Sequence, residues 1–366
     1  MKTIIIFILG FTAIANAQGV EGIDWGITYT GEGIRLMGGE DSADKNLYLS
    51  NIDLQIEFSS ESMNLWKGGT GFVYFLSNSG DDPSSVIGDA QTISNIEANN
   101  SSRLYEIWYN QVFNDERMEV LFGVHDLNSE FYGNDAAGLF NNSSFGIGPN
   151  LSGNAPVGIF NVAALGARIR YMPNEHFNVA GAVYDGDPGD PDINSNGFGI
   201  RWNGDEGLMT IAEAQFSPDE ETGENVYRIG GWYHSSEFED LHDSDIMRRG
   251  NYGVYVSLDR KLSSKHCAFV HGGIAPGDRS AVPSYIGFGI NTTELISSRK
   301  DDVFGLAVAI ANLGEEGSEM VIEVIWQAQF GDHFGLKPDL QYVISPGGSE
   351  SNKNMMVFGL RTEVAF

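Results

Sequence analysis

The sequence MMVFGLRTEVAF at residues 355–366 alternates between two kinds of side chain. Every second residue from Met356 to Phe366 is apolar or threonine, whereas the intervening positions include Arg361 and Glu363. A period of two predicts an extended strand whose successive side chains point to opposite faces. One apolar face and one charged face suit a strand that lies between lipid and water. An edge strand of a soluble protein gives the same pattern, so the rest of the chain has to separate the two.

Strand-like segments of about 8–11 residues recur along the chain, separated by clusters of Gly, Asn, Asp, Ser and Pro. Between residues 165 and 171, for example, Arg168 and Arg170 share one face while Ile169 and Tyr171 share the other. The candidate strands begin near Ile23, Leu47, Thr70, Arg103, Met118, Val162, Phe177, Gly197, Leu208, Val226, Tyr252, His266, Tyr285, Val303, Val321, Leu336 and Met355. No repeat, low-complexity tract or linker interrupts the series, which predicts a single domain.

The requirement for an even number of strands determines the predicted strand count. Outer-membrane barrels have an even number of strands, with short periplasmic turns and long external loops. The segments 173–176 and 332–333 have the character of short turns, whereas 128–161 is long enough to be external. These three assignments conflict with counting every candidate as a strand. We therefore assign residues 197–203 to the loop after Tyr184, which predicts an all-β fold, a 16-stranded antiparallel transmembrane β-barrel of the bacterial outer membrane.

The first 17 residues predict a secretory signal peptide. Lys2 precedes an apolar run at residues 4–14, and the small residues Ala-Asn-Ala follow at 15–17. This run is too short to span a bilayer as a helix. Residues 18–366 then form the predicted barrel domain. Since no later stretch contains about 18 consecutive apolar residues, a membrane-embedded form has to be a closed barrel.

The composition excludes several classes of function. The formal net charge of −29 argues against a nucleic-acid partner, because a phosphate backbone requires a basic surface. Cys267 is the single cysteine, so no intrachain disulfide or cysteine-based metal site is possible. The sequence contains no phosphate-binding loop, no nucleophile elbow and no HExxH pattern. We therefore predict no cofactor and no catalytic residues.

From residue 94 onward, the sequence resembles the carbohydrate-selective porins of the OprB family. The segments that carry the resemblance include SNIEA (94–98), RLYEIWYNQ (103–111), DLNSEFY (126–132), LFNNSSFGIGPNLS (139–152), the run at 164–191, PDLQYVISPGG (338–348) and the last strand. The resemblance implies a 16-stranded outer-membrane barrel that lets sugars diffuse passively, without catalysis. Its partners would be carbohydrate solutes, outer-membrane lipid and the barrel-assembly machinery, the last through the C-terminal strand ending at Phe366.

A sugar pore requires hydrogen-bonding groups and flat aromatic surfaces that bind solutes weakly. On the strand from Arg103, alternation places Glu106 and Trp108 in the lumen and Tyr105 and Ile107 toward lipid. The same argument applied to every strand predicts the pore-lining residues Glu106, Trp108, Arg168, Arg170, Glu213, Arg228 and Trp232.

The three arginines of this set repel one another, so each requires an acidic partner. We expect Arg168, Arg170 and Arg228 to face acids such as Glu106 or Glu213 across the lumen. For any one residue, a purely structural role in the barrel wall is an equally good interpretation. Mixed Arg and Glu residues favour neutral solutes, which predicts weak ion selectivity and a preference for mono- or oligosaccharides.

Two loop segments attract functional hypotheses. Residues 128–156 are rich in Gly, Asn and Ser but carry apolar anchors such as Phe140 and Phe145, so we expect this loop to fold inward rather than form an external flap. Asp185, Asp187 and Asp190 form an oxygen-rich cluster that is weakly suggestive of calcium. A rigid Gly/Pro turn is the better interpretation there.

Three other functions fit parts of the pattern. A general small-solute pore has the same kind of lumen. An outer-membrane enzyme with an outward Ser, His and acid requires a histidine on the lipid-side parity near an external serine, and no strand shows one clearly. A secreted polysaccharide-binding β-protein predicts polar outer faces, whereas the outer faces here carry Phe, Tyr, Val, Ile and Leu.

Overall fold

A computed structural model of the chain describes residues 21–38, 45–202, 204–218 and 225–366. The predicted signal peptide lies outside the described residues, and it stays a prediction. Among the described residues, no helix has the length and apolar character needed to cross a membrane.

Sixteen antiparallel strands form one closed barrel, in which each strand pairs with the next and β16 pairs with β1. Their bounds are β1 Ile23–Gly38, β2 Asn46–Ser59, β3 Gly69–Gly80, β4 Ser101–Phe113, β5 Met118–His125, β6 Ala164–Asn174, β7 Phe177–Asp185, β8 Leu208–Phe216, β9 Val226–Asp240, β10 Asp243–Lys261, β11 His266–Ile274, β12 Ser284–Thr293, β13 Val303–Asn312, β14 Ser318–Phe330, β15 Phe334–Ile344 and β16 Met355–Ala365. The predicted number of strands is confirmed, and residues 197–202 belong to a loop.

Strand β16 shows the alternation that the sequence predicts. Phe358 and Leu360 are exposed on the outer face, whereas Val357 and Arg361 are buried on the inner face. Phe366 continues the outer row and exchanges backbone hydrogen bonds of 2.9 and 3.0 Å with Ile27. The barrel therefore presents apolar side chains outward, as a lipid-facing surface requires.

Short turns and long loops lie at opposite ends of the barrel. Strands β6 and β7 are joined through residues 175–176, and β14 and β15 through residues 331–333. The long connections are loop A at residues 81–100, loop B at 126–163 and the β7–β8 loop at 186–207. Their positions in the strand order place all three at the other end, as the parity argument predicts.

Loop B folds into the barrel, which confirms the predicted inward course. It contains the short helix α2 (Pro149–Ser152) and 3₁₀ turns at 127–129, 137–139 and 143–145, while loop A contains helix α1 (Ser84–Ile87). Further 3₁₀ turns occur at 204–206, 314–316 and 346–348. Phe140 and Phe145 are fully buried and pack against Phe269 of β11 at centroid distances of 5.6 and 5.9 Å. Burial of these rings stabilises the inward conformation.

The β7–β8 loop covers a gap left by the short strand β5. Pairing between β4 and β5 ends at Ile107, so residues 101–106 of β4 lack a partner from β5. Asn196 fills part of this gap, because its carbonyl accepts a 2.9 Å hydrogen bond from the Leu104 amide. The Arg103 guanidinium also donates to the Asn194 carbonyl at 2.6 Å. These contacts hold the segment before residue 197 against β4 as part of a loop.

Candidate functional site: the lumen between the wall and the inner loops

The barrel and its two inner loops leave a cavity of about 710 Å³. Its lining comes from β1 to β4 and β16 on one side, from loops A and B, and from β6, β8, β9 and β15. Three of the seven predicted pore-lining residues lie on its surface, namely Glu106, Arg170 and Arg228. The other four lie in the wall or beneath loop B, as described below.

Glu106 and Trp108 are linked to each other on β4. The Trp108 Nε1 donates a 3.1 Å hydrogen bond to Glu106 Oε2, which also accepts the Asp126 amide at 3.1 Å. The Trp108 ring stacks on Phe72 with centroids 4.8 Å apart. The result is an aromatic surface next to a carboxylate.

Tyr105 does not face lipid, and the sequence-based assignment of this residue is wrong. It is buried, and its phenol donates a 2.5 Å hydrogen bond to Asp126. The reason is a β-bulge, since Tyr74 pairs with Glu106 but its neighbour Phe75 pairs with Leu104, which leaves Tyr105 as the extra residue. A bulge inverts the facing of the residues before it. Simple alternation therefore fails over the first part of β4.

Arg168 and Arg170 find acidic partners that differ from the expected ones. Arg168 donates at 2.7 Å to Glu119 of β5 and at 2.7 Å to Glu130 of loop B. Arg170 contacts the same two acids, Glu130 by a hydrogen bond and Glu119 at 3.6 Å. The expected pairing with Glu106 or Glu213 is wrong, because adjacent strands and the inserted loop place other carboxylates closer. The Arg168 side chain is 3% exposed and that of Arg170 is 25% exposed, so only Arg170 has substantial access to the lumen.

Arg228 and Glu213 lie on the paired strands β9 and β8, and both contact the start of loop B. Arg228 donates at 2.9 Å to Asp259 of β10 and lies 3.5 Å from Asp135. Glu213 instead accepts the Tyr132 amide at 3.0 Å and the Tyr255 phenol at 2.9 Å. Both predicted residues therefore also hold the loop in place.

Trp232 is buried in an apolar cluster beneath loop B. It is 3% exposed and shares the cluster with Tyr132, Leu151 and Tyr255. Tyr132 and Tyr255 stack with centroids 4.0 Å apart and an interplanar angle of 11°. The structure thus places Trp232 in the support of the loop.

Sequence analysis did not single out the aromatic and acidic wall on β2 to β4. Tyr74 donates a 2.6 Å hydrogen bond to Asp53, and its ring packs edge-on against Tyr105 at 5.1 Å. Tyr74, Asp53, Tyr105 and Asp126 all line the cavity. Alternation along β2 and β3 could have identified Asp53 and Tyr74, because both fall on the inner parity of their strands. Alternation could not identify Tyr105 as a lining residue, because the β-bulge changes its facing.

The acidic residues of the lining are only partly neutralised. Arg170, Arg228, Lys337 and Arg361 each pair with an acid. Among the described residues of the lining, the carboxylates that form no ion pair are Asp53, Glu97, Glu106 and Asp126. The lumen therefore has a side on β2, β4 and the loops where acidic residues lack a basic partner.

Burial changes the pKa of three loop carboxylates. The pKa of Asp126 rises to about 6 through burial, although hydrogen bonds from Tyr105 and Asn128 oppose the rise. Burial raises the pKa of Glu97 to about 8. The pKa of Asp89 rises to about 6 through burial and through the nearby Glu319. These loop groups titrate close to neutral pH.

Loop A also enters the lumen, which the sequence did not indicate. The Ser94 hydroxyl donates at 2.8 Å to Glu32 of β1, and the backbone amide of Gln91 donates at 2.8 Å to Glu319 of β14. Ile93 is 1% exposed and lies in the same apolar cluster as Phe140. Loop A lacks a long apolar run, so its inward course depends on these contacts.

The acidic turn after β7 forms local turn contacts. Asp187 accepts the Gly189 amide at 2.8 Å, and Asp190 accepts the Asp192 amide at 2.8 Å. Asp185 is buried at the end of β7. In the part of the chain that the structure describes, no three His, Cys, Asp or Glu residues are grouped so that they could hold a metal ion. The weak calcium hypothesis gains no support from this arrangement.

A model of the carbohydrate-selective porin family OprB matches residues 47–366 of the chain. Among individual proteins, Porin B of Pseudomonas aeruginosa is 22% identical over 406 aligned positions, which cover 94% of this chain and 88% of Porin B. Porin AaxA of Chlamydia muridarum is also 22% identical, over 71% of this chain and 55% of AaxA.

Solved structures show the same fold. The high-pH structure of Pseudomonas putida OprB superposes with a TM-score of 0.86 at 19% identity, covering 94% of each chain. The outer-membrane channel DcaP of Acinetobacter baumannii superposes with a TM-score of 0.59 at 12% identity, covering 94% of this chain and 98% of DcaP. At these identities the likeness concerns the fold of the barrel.

Proposed function

The chain belongs to the OprB family of carbohydrate-selective porins, and from this premise we propose how solutes pass through its lumen. The protein is an outer-membrane porin through which carbohydrates diffuse passively. We propose that a sugar passes between the wall of Tyr74, Tyr105 and Glu106 and the opposing Arg170 and Arg228. The observation that carries this proposal is the cavity that all five residues line.

The chemistry of this wall suits a pyranose ring. Aromatic rings pack against the apolar face of a sugar, while carboxylates accept hydrogen bonds from its hydroxyl groups. Asp53 and Asp126 each use one oxygen to accept a tyrosine hydroxyl, so both side chains are held in position. Weak, multiple contacts of this kind allow a solute to enter and to leave. Passage requires no covalent step, so we propose a channel without catalytic residues.

The predicted pore-lining residues divide into two proposed roles. Glu106, Arg170 and Arg228 line the cavity and are proposed to contact solute, while Trp108 is proposed to act through its hydrogen bond to Glu106. Arg168, Glu213 and Trp232 are proposed to act mainly through the wall and loop B, because they are buried against them.

The test is swelling of liposomes that contain the refolded protein, in a series of neutral sugars of increasing size. We expect fast swelling with small sugars and a sharp size cutoff. Glu106→Gln and Trp108→Phe should then change the relative rates among sugars of equal size, whereas equal rates for all solutes of one size would favour a general small-solute pore. An inserted protein that supports no swelling would refute an open channel.

The outer face, strand β16 and residues 1–17 have proposed roles outside the lumen. We propose that the exposed apolar outer face, including Phe358 and Leu360, contacts outer-membrane lipid. We also propose that the barrel-assembly machinery recognises strand β16 through its outward aromatic residues, ending at Phe366. Residues 1–17 are proposed to direct export.

A further inference from the structure

Acidic residues of the barrel wall hold both inner loops by their backbones. Five buried carboxylates accept loop amides over distances of 2.6 to 3.3 Å. The pairs are Glu106 with Asp126, Glu213 with Tyr132, Asp259 with Asp135 and Ala136, Glu319 with Ala90 and Gln91, and Glu323 with Asn141 and Asn142. Each of these bonds gives a loop amide a hydrogen-bond partner inside the barrel, where an unpaired amide would be costly. The wall therefore fixes the path of loop B at successive points.

Glu323 on β14 has the closest of these contacts. Its Oε1 accepts the Asn141 amide at 2.6 Å and its Oε2 accepts the Asn142 amide at 3.1 Å. The residue is fully buried and does not belong to the cavity lining. Both of its oxygens face loop B, so a direct contact with solute is not its role.

The segment that Glu323 holds is also where the two loops join. The Asn95 amide of loop A donates to the Asn141 carbonyl at 2.7 Å, and Asn142 Nδ2 donates to the Gln91 carbonyl at 2.8 Å. Gln91 is itself held by Glu319, which lies four residues before Glu323 on the same strand. Loops A and B thus form one body that is attached to β14 at two adjacent points.

This attachment lies directly beside the passage. Gln91, Asn95 and Ser143 line the cavity, and each is within a few residues of the contacts that Glu323 and Glu319 make. We propose that Glu323 is a positioning residue that sets the exclusion size of the pore by latching the joined loops to β14. The proposal rests on the proposed function, because exclusion size has meaning only for an open channel.

Glu323→Gln tests the latch with little change in shape. The glutamine retains one acceptor oxygen, but its NH₂ group cannot accept the second loop amide. We expect the swelling cutoff to move to larger sugars and the single-channel conductance to rise with more current noise. The matched control is Glu57→Gln, the same chemical change on the inner face of β2, away from both loops. It should keep the wild-type cutoff.

Glu323→Asp provides a second variant that keeps the acid but shortens the side chain by one methylene, so its oxygens are drawn away from the Asn141 and Asn142 amides. It should shift the cutoff in the same direction, so the test remains decisive if Glu323→Gln fails to fold. Wild-type cutoffs in every folded variant would overturn the latch while leaving the porin function standing. A wild-type protein that passes no sugar would instead refute the proposed function, and opening by either variant would still support the latch.

Discussion

Arg361 of the last strand forms an ion pair with Glu32 of the first, with Nη2 and Oε2 2.8 Å apart. The two residues are direct cross-strand partners where the barrel closes, and both are almost fully buried. Ser94 of loop A donates to the same Glu32 oxygen at 2.8 Å. The Glu32 carboxylate therefore contributes both to the closure of the barrel and to the position of loop A.

Arg361→Met is expected to destabilise the barrel strongly. Removing one member of a buried pair leaves an uncompensated charge on Glu32, at a cost of about 3–5 kcal/mol. Urea titration of the folded protein in detergent micelles would measure the loss. The double variant with Glu32→Gln should recover most of it, because the stranded charge is then gone. An equal loss in the single and double variants would show that the two residues are not coupled.

Arg168 and Arg170 should respond differently to the same substitution. Arg170→Gln removes a positive charge from the lumen, so we expect a higher permeability ratio of cations to anions and a stability loss below about 1 kcal/mol. Arg168→Gln leaves Glu119 with weaker compensation in the wall and should cost about 3 kcal/mol. Reversal potentials in a salt gradient and urea titrations separate the two effects. Identical reversal potentials and identical unfolding free energies for the two variants would contradict the different roles assigned to Arg168 and Arg170.

The charge of the inner loops should change with pH. The pKa values of Asp126 and Glu97 are raised to about 6 and about 8. Because these folded-state values lie above the ordinary ones, both groups stabilise the inward loops in acid and lose that contribution as pH rises through about 6 and 8. The same rise creates negative charge, so cation selectivity should increase between about pH 5 and 9.

Reversal potentials measured across this pH range test the expectation. Asp126→Asn should reduce the lower step, to which Asp89 also contributes, and Glu97→Gln should reduce the upper one. An ion selectivity that does not vary with pH would contradict the expected rise in cation selectivity. It would agree instead with the weak ion selectivity that the mixed charges of the sequence predict.

Phe366 is expected to matter for assembly more than for stability. Its ring stacks on His333 at 5.2 Å and is 51% exposed on the outer face. Phe366→Ala should lower the amount of heat-modifiable barrel in cell envelopes several-fold while refolding in detergent proceeds normally. Phe358→Ala, an exposed outward residue in the middle of the same strand, is the control. Equal loss in both variants would argue against recognition through the end of β16.

The extent of successful prediction differs between wall and loops. Alternation correctly assigned the inner and outer faces of β16 and of the part of β6 that carries Arg168 and Arg170. It failed at Tyr105, because one extra residue in β4 reverses the facing and leaves no trace in the local pattern. It also could not identify Glu119 and Glu130 as the partners of the arginines, since pairing depends on which strand and which loop lie alongside.

The sequence by itself determined that this chain forms a closed barrel with an apolar exterior. A period of two requires strands, and apolar outer faces without a spanning helix leave closure as the way to satisfy every backbone group in lipid. Only the tertiary structure decided the passage. Its width depends on how wall acids such as Glu323 bind the backbones of loops A and B. Every residue type except proline offers the same backbone N–H, so the loop sequence does not reveal these contacts.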